Sequence, residues 1–140
     1  MRRRSLLSLA AMALAAGCAD LGVDLGGEQV AGMEIADGQG NTLVTVSGGS
    51  VNGTITVPRN GSRTLQIRLR NAAGGTIGLG IAESVRVTVV NSALVSWQES
   101  GVTTGSLSAG SATGSTSLRV DLIAAGIAEY TSPSITVTVT

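Results

Sequence analysis

The stretch Leu65-Gln66-Ile67-Arg68-Leu69-Arg70 places an apolar residue at every second position and a polar one between each pair. Side chains of a β-strand point alternately to its two faces, so this pattern describes a strand with one dry and one wet face. The same period extends outward in both directions. Before it, Met33 and Ile35 flank Glu34, Val44 and Val46 flank Thr45, and Ile55 and Val57 flank Thr56. After it, Val85, Val87 and Val89 alternate with Arg86 and Thr88. Leu118, Val120 and Leu122 alternate with Arg119 and Asp121, and Ile135, Val137 and Val139 with Thr136 and Thr138. Clusters rich in Gly, Asn and Asp separate the runs at residues 37–41, 48–53, 60–61, 72–75 and 110–114, as tight turns require. About seven to nine short strands at this spacing, with no amphipathic helix of useful length, predict an all-β fold of two antiparallel sheets packed face to face. Residues 123–130 read as a brief helical turn or, equally given Gly126 and the short length, as a loop or strand end.

Composition supports the same class. The chain has 140 residues, 20 of them Gly, with two Pro and no Phe, and its large aromatics are Trp97 and Tyr130 alone. Its core must therefore be built from Val, Ile, Leu and Ala, without the area that aromatic rings supply. Basic and acidic residues number 9 each, but Arg2, Arg3 and Arg4 precede an apolar run and would leave with it, so the remainder carries a net charge near −3. That balance argues against a nucleic-acid partner, which selects a basic stripe.

The first residues read as an export signal: a cationic start at Arg2–Arg4, an apolar run over residues 6–16, and small residues behind it. The run is too short for a spanning helix, which needs about 20 apolar residues. Leu14-Ala15-Ala16-Gly17-Cys18 resembles the lipobox of bacterial lipoproteins, although Ala15 stands where that family more often has Leu. The resemblance implies that Cys18 becomes the first residue of the mature chain and carries a diacylglycerol thioether. Several acyl chains together give a lasting anchor where one alone binds marginally. The plainer alternative is ordinary signal cleavage, with Cys18 left as a free thiol. Because Cys18 is the sole cysteine, no intramolecular disulfide can form. Ala19 follows it, where an Asp would be associated with inner-membrane retention, so the resemblance favours an outer membrane if the source has two. The expected organisation is a helical signal peptide over 1–17, a lipid-anchored tether over 18–29, and a β-sandwich over 30–140.

Residues 63–140 also resemble bacterial immunoglobulin-like domains of the group 2 type. The features that carry the likeness are Gly61 ahead of the strand through Leu69, the loop at 71–75, the Val95-Ser96-Trp97 strand, the segment 105–113 as a turn into the penultimate strand, and the final run 134–140. The resemblance covers about half the chain and does not extend to residues 30–60. It implies an Ig-like sandwich with a structural or adhesive role and no activity, and it places Trp97 in the core rather than on the surface as a sugar-stacking platform. Residues 120–139 further resemble small exported lipoproteins with histidines ahead of a Tyr-Thr-Ser-Pro stretch. Ala124, Ala125 and Ile127 occupy those places here, so no metal role carries over.

The sequence offers little chemistry. With no His and no Lys, a serine or cysteine nucleophile lacks its usual base. One cysteine without histidine cannot assemble a zinc site. The carboxylates Glu83, Glu99, Asp121 and Glu129 are scattered rather than paired as a glycosidase requires. Asp37, Gln39 and Asn41 alternate in a Gly-rich loop, as in some calcium sites, but Asp, Gly and Asn are also what a hairpin turn demands, and the turn is the stronger reading. Arg68, Arg70, Arg86 and Arg119 fall on wet strand faces, where they serve solubility and ion pairing or, if brought together, a cationic patch for an anionic glycan or headgroup. The expectation is a non-enzymatic, cofactor-free module of the cell envelope, lipid-anchored and binding an unknown protein or polysaccharide. The alternative is an exported binder of a small ligand or Ca²⁺.

Overall fold

The computed structural model describes residues 29–140; the signal segment, Cys18 and nearly all of the tether lie outside them. Among the described residues twelve strands form, where seven to nine were expected: β1 (Gly32–Asp37), β2 (Thr42–Ser47), β3 (Ser50–Gly53), β4 (Ile55–Val57), β5 (Ser62–Arg70), β6 (Thr76–Ile77), β7 (Glu83–Val89), β8 (Val95–Glu99), β9 (Thr104–Ala109), β10 (Gly114–Ala124), β11 (Ile127–Thr131) and β12 (Ile135–Val139). The additional ones are short or small-residue strands. In β3 the only large apolar residue is Val51, so no alternation can be read. Segment 105–113, expected as a turn, is strand as far as Ala109, and Gly, Ser and Ala mask its inward parity.

The strands make two sheets. The first runs β3-β2-β1-β5-β9-β8 with β6 alongside β5; the second joins β11, β10, β12 and β4, with β7 on the free side of β10. The order β1-β5-β9-β8 against β7-β10-β12 is the ABED and CFG connectivity of an immunoglobulin sandwich. Residues ahead of position 60 share it, since β1 pairs with β5 and β4 with β12. One pairing departs from the antiparallel expectation: β4 lies parallel to β12. It must deliver the chain to the start of β5 at the end where β12 finishes, so the two run in one direction.

Every apolar residue of the Leu65 run points between the sheets, with Leu65, Ile67 and Leu69 buried. Met33, Ile35, Val44, Val46, Val95 and Leu107 join them from the first sheet, and Ile55, Val57, Leu118, Val120, Leu122, Ile135, Val137 and Val139 meet them from the second. Segment 123–130 is neither helix nor loop. β10 continues to Ala124, turns at Ala125 and Gly126, both at positive φ (49° and 82°), and returns as β11.

Between β11 and β12 the three residues 132–134 face two on β10, and Pro133 has no N–H to donate. Ser132 repairs the ladder: its Oγ accepts from Val120 N–H at 2.9 Å, while its own N–H donates to Val120 O at 2.8 Å. Ser132 is buried, so Ser132→Ala would strand the Val120 donor away from water. We expect a loss of about 1–3 kcal/mol in denaturant unfolding; an unchanged midpoint would show that the donor finds water instead.

Candidate functional site

The Asp37 loop joins β1 to β2, and the carboxylate organises it. Asp37 Oδ1 accepts from the backbone N–H groups of Gln39 and Asn41, both at 2.9 Å, and Oδ2 accepts from Asn41 Nδ2 at 3.0 Å. The backbone closes the turn through Gly40 N–H to Asp37 O and Asp37 N–H to Asn41 O. The three residues considered as cation ligands are thus brought together, but as donors and acceptor of one turn, and a cation would have to displace the N–H donors. Among the described residues no three His, Cys, Asp or Glu side chains are grouped.

The Asn41 side chain and backbone N–H, then Gln39 and Arg63, hold the Asp37 carboxyl below its ordinary value of 3.8 against a smaller opposing effect of desolvation. A carboxyl with a lowered folded-state pKa contributes stability that is fully present above the unfolded value and lost as pH falls through the folded one. Carbon NMR titration is therefore expected to find Asp37 titrating below 3.8, and Asn41→Ala to move it upward. An ordinary value in the parent chain would mean that the turn is open in solution.

The four wet-face arginines are divided between two surfaces. Arg68 and Arg70 stand on the outer face of the first sheet, and Arg86 and Arg119 on that of the second, so no common patch forms. Arg70 reaches Glu34 at 2.6 Å and donates to Thr76 Oγ1 at 2.8 Å, pinning the loop that follows β5. Arg68 donates to Gln66 Oε1. Arg86 pairs with Asp121 at 3.2 Å, and Thr131 Oγ1 donates to the other Asp121 oxygen at 2.8 Å, a polar ladder across three strands. Arg119 stands opposite Thr88. Glu83, another of the scattered carboxylates, accepts from Gly80 N–H.

Sequence reading passed over Arg63, which belongs to the inward parity of Leu65, Ile67 and Leu69. It lies at the end of the sandwich and its guanidinium crosses between the sheets to donate to Thr56 O of β4 at 2.8 Å, with Asp37 4.0 Å away. A charged residue in phase with a dry face was the available signal. Trp97 turns inward: it packs against the core, and its indole N–H is buried with no acceptor among the described residues. Surface depressions lie beside Arg70 and Gly32, beside Ile77 and Val102, and beside Asp37 and Arg63; all are open to solvent.

No family model matches the chain, and no curated protein matches it. Among solved structures it is similar to FdeC, a broadly conserved Escherichia coli adhesin, with 21% identity over 76% of this chain and 30% of that one, at a TM-score of 0.39. It is also similar to domains 4 and 5 of the S-layer protein SbsC, with 14% identity over 77% of this chain and 75% of that one, at a TM-score of 0.46. The chain spans less than a third of the FdeC chain. At such scores neither likeness bears on function, and the Ig-like assignment rests on the strand connectivity.

Proposed function

We propose that this chain is a non-enzymatic, lipid-anchored Ig-like module of the bacterial cell envelope, exported by residues 1–17, tethered through Cys18 and residues 18–29, and binding a protein or polysaccharide through the sandwich formed by 30–140. The observation that carries the proposal is Cys18 itself, directly behind a short apolar export run and a little ahead of β1. A sandwich whose conspicuous polar side chains serve turns, ladders and sheet closure fits a structural or adhesive role.

Intact mass of the protein purified from bacterial membranes, beside a Cys18→Ser version, tests the anchor. The expected result is a chain beginning at Cys18 with added acyl mass, absent from the variant. An unmodified chain released in soluble form would overturn it. Thermal unfolding with and without calcium tests the competing cation-binding reading. A ligand at 100 times its dissociation constant adds about 2.7 kcal/mol to stability. No calcium-dependent shift is expected, because the Asp37 oxygens already accept N–H donors.

A further inference from the structure

Among the described residues, three of the four large apolar side chains that stand out in solvent are Ile81, exposed in full, Ile127 at 70% and Val102 at 64%. Single exposed apolar residues are ordinary on protein surfaces. These three, however, sit on or beside three separate connections: β6 to β7, β8 to β9, and β10 to β11. The strand directions carry all three connections to one end of the sandwich. Gly32 of β1 pairs with Arg70 at the close of β5, Glu99 at the close of β8 pairs with Gly105, and Glu83 at the start of β7 pairs with Ala124 at the close of β10. The connections also touch: Ala125 N–H donates to Ala82 O at 3.2 Å, and Leu79 lines one depression together with Val102.

The loops at this end carry no charge, and the nearest ionised groups, Arg70, Glu83, Glu99 and Glu129, stand on the strands behind them. Loop residues 48–49, 71–75, 78–82, 100–103 and 125–126 include no acid and no base. The opposite end carries Asp37, Arg59 and Arg63. Uncharged loops bearing aliphatic side chains are suited to the apolar boundary of a bilayer, where an ionised group in the loops themselves would be expensive. The chain reaches the sandwich at this same end, through Ala31 and Gly32, and Ala31 N–H is bonded to Arg70 O.

We infer that the end bearing Ile81, Val102 and Ile127 rests on the lipid surface that holds the Cys18 anchor. The inference rests on the lipoprotein reading above. An anchor joined at this end keeps the tip at high local concentration near the bilayer, so three modest apolar contacts suffice to dock it. The sandwich would then stand upright, with the Asp37 and Arg63 end directed away from the membrane.

The test uses the membrane-purified protein in vesicles of phosphatidylethanolamine and phosphatidylglycerol with brominated acyl chains. A fluorophore is placed on Ala82→Cys at the tip or on Ala112→Cys at the far end; acylated Cys18 offers no thiol to compete. Strong quenching at position 82 and none at 112 is expected. Combining Ile81→Ser, Val102→Ser and Ile127→Ser should lower the docked-to-undocked ratio about a hundredfold or more, and exposed positions can take serine without loss of fold. Acylated protein with equal or absent quenching at both positions would overturn the inference while leaving the anchor intact. An unmodified mass would remove the reading beneath it and the inference together. A tip label already shielded without vesicles, in a chain that sediments as a dimer, would assign the surface to a second copy and also overturn it.

Discussion

A chain lacking residues 134–140 is expected not to fold. β12 is held between β10, antiparallel, and β4, parallel, so its loss opens the second sheet and leaves β4 without its partner. It also removes Ile135, Val137 and Val139, each buried to within 2% of complete. Burial of such side chains contributes about 1.5–3 kcal/mol apiece, and natural domains retain only about 5–15 kcal/mol of net stability. Three side chains and two ladders are thus comparable with the whole margin. Circular dichroism melts and amide NMR dispersion would report the outcome. A truncated chain with an unchanged melting temperature would show that the last strand contributes nothing to the core.

The second large effect is expected at Gly105. This residue lies on β9 facing inward, and the six-membered part of the Trp97 indole occupies the space where its side chain would be. A Cβ there would overlap both that ring and the carbonyl oxygen of Gln98 on the neighbouring strand. Overpacking commonly costs about 1–3 kcal/mol. Gly105→Ala belongs at or above the top of that range, because a rigid ring and a backbone atom obstruct it together. Trp97→Leu should recover part of the loss when combined with Gly105→Ala, since it removes the ring but not the carbonyl. A double-mutant cycle read by urea unfolding measures that coupling. Strict additivity of the two substitutions would refute the packing relation.

Trp97 and Gly105 mark the boundary of what a linear reading can reach. The Val-Ser-Trp segment points to a strand with its tryptophan inside, and that is where the ring lies. Nothing in the sequence says that Gly105 makes room for it, because the two meet only through the register in which Trp97 stands opposite Leu107 and Gly105 lies two residues away. Ser132 is similar. In Thr131-Ser132-Pro133-Ser134 it reads as part of a polar connection, and only the pairing across β10 reveals that its hydroxyl replaces a missing ladder acceptor.

The candidate sites divide along the same line. Asp37, Gln39 and Asn41 are close in sequence and were legible as a turn, because a hairpin loop is a local object and its donors and acceptors lie within four residues. The arginines were legible only as wet-face residues. Parity tells which face of its own strand a residue occupies, but not which sheet the strand joins, and Arg68 and Arg86 look alike until the strands are paired. Arg63 carried the wrong parity for a surface charge, yet its partner, Thr56 O, belongs to a strand of the other sheet.

By itself, then, the alternation of apolar and polar residues determined the all-β class, most of the residues that enter the core and where most turns fall, since a strand's two faces are a property of the local backbone. The tertiary structure alone decided the parallel pairing of β4 with β12, the inclusion of residues ahead of position 60 in the same sandwich, and the gathering of Ile81, Val102 and Ile127 at one end. Those depend on strand direction and register between segments distant in sequence, which are fixed by the packing of two sheets over a common core and by nothing within any one strand.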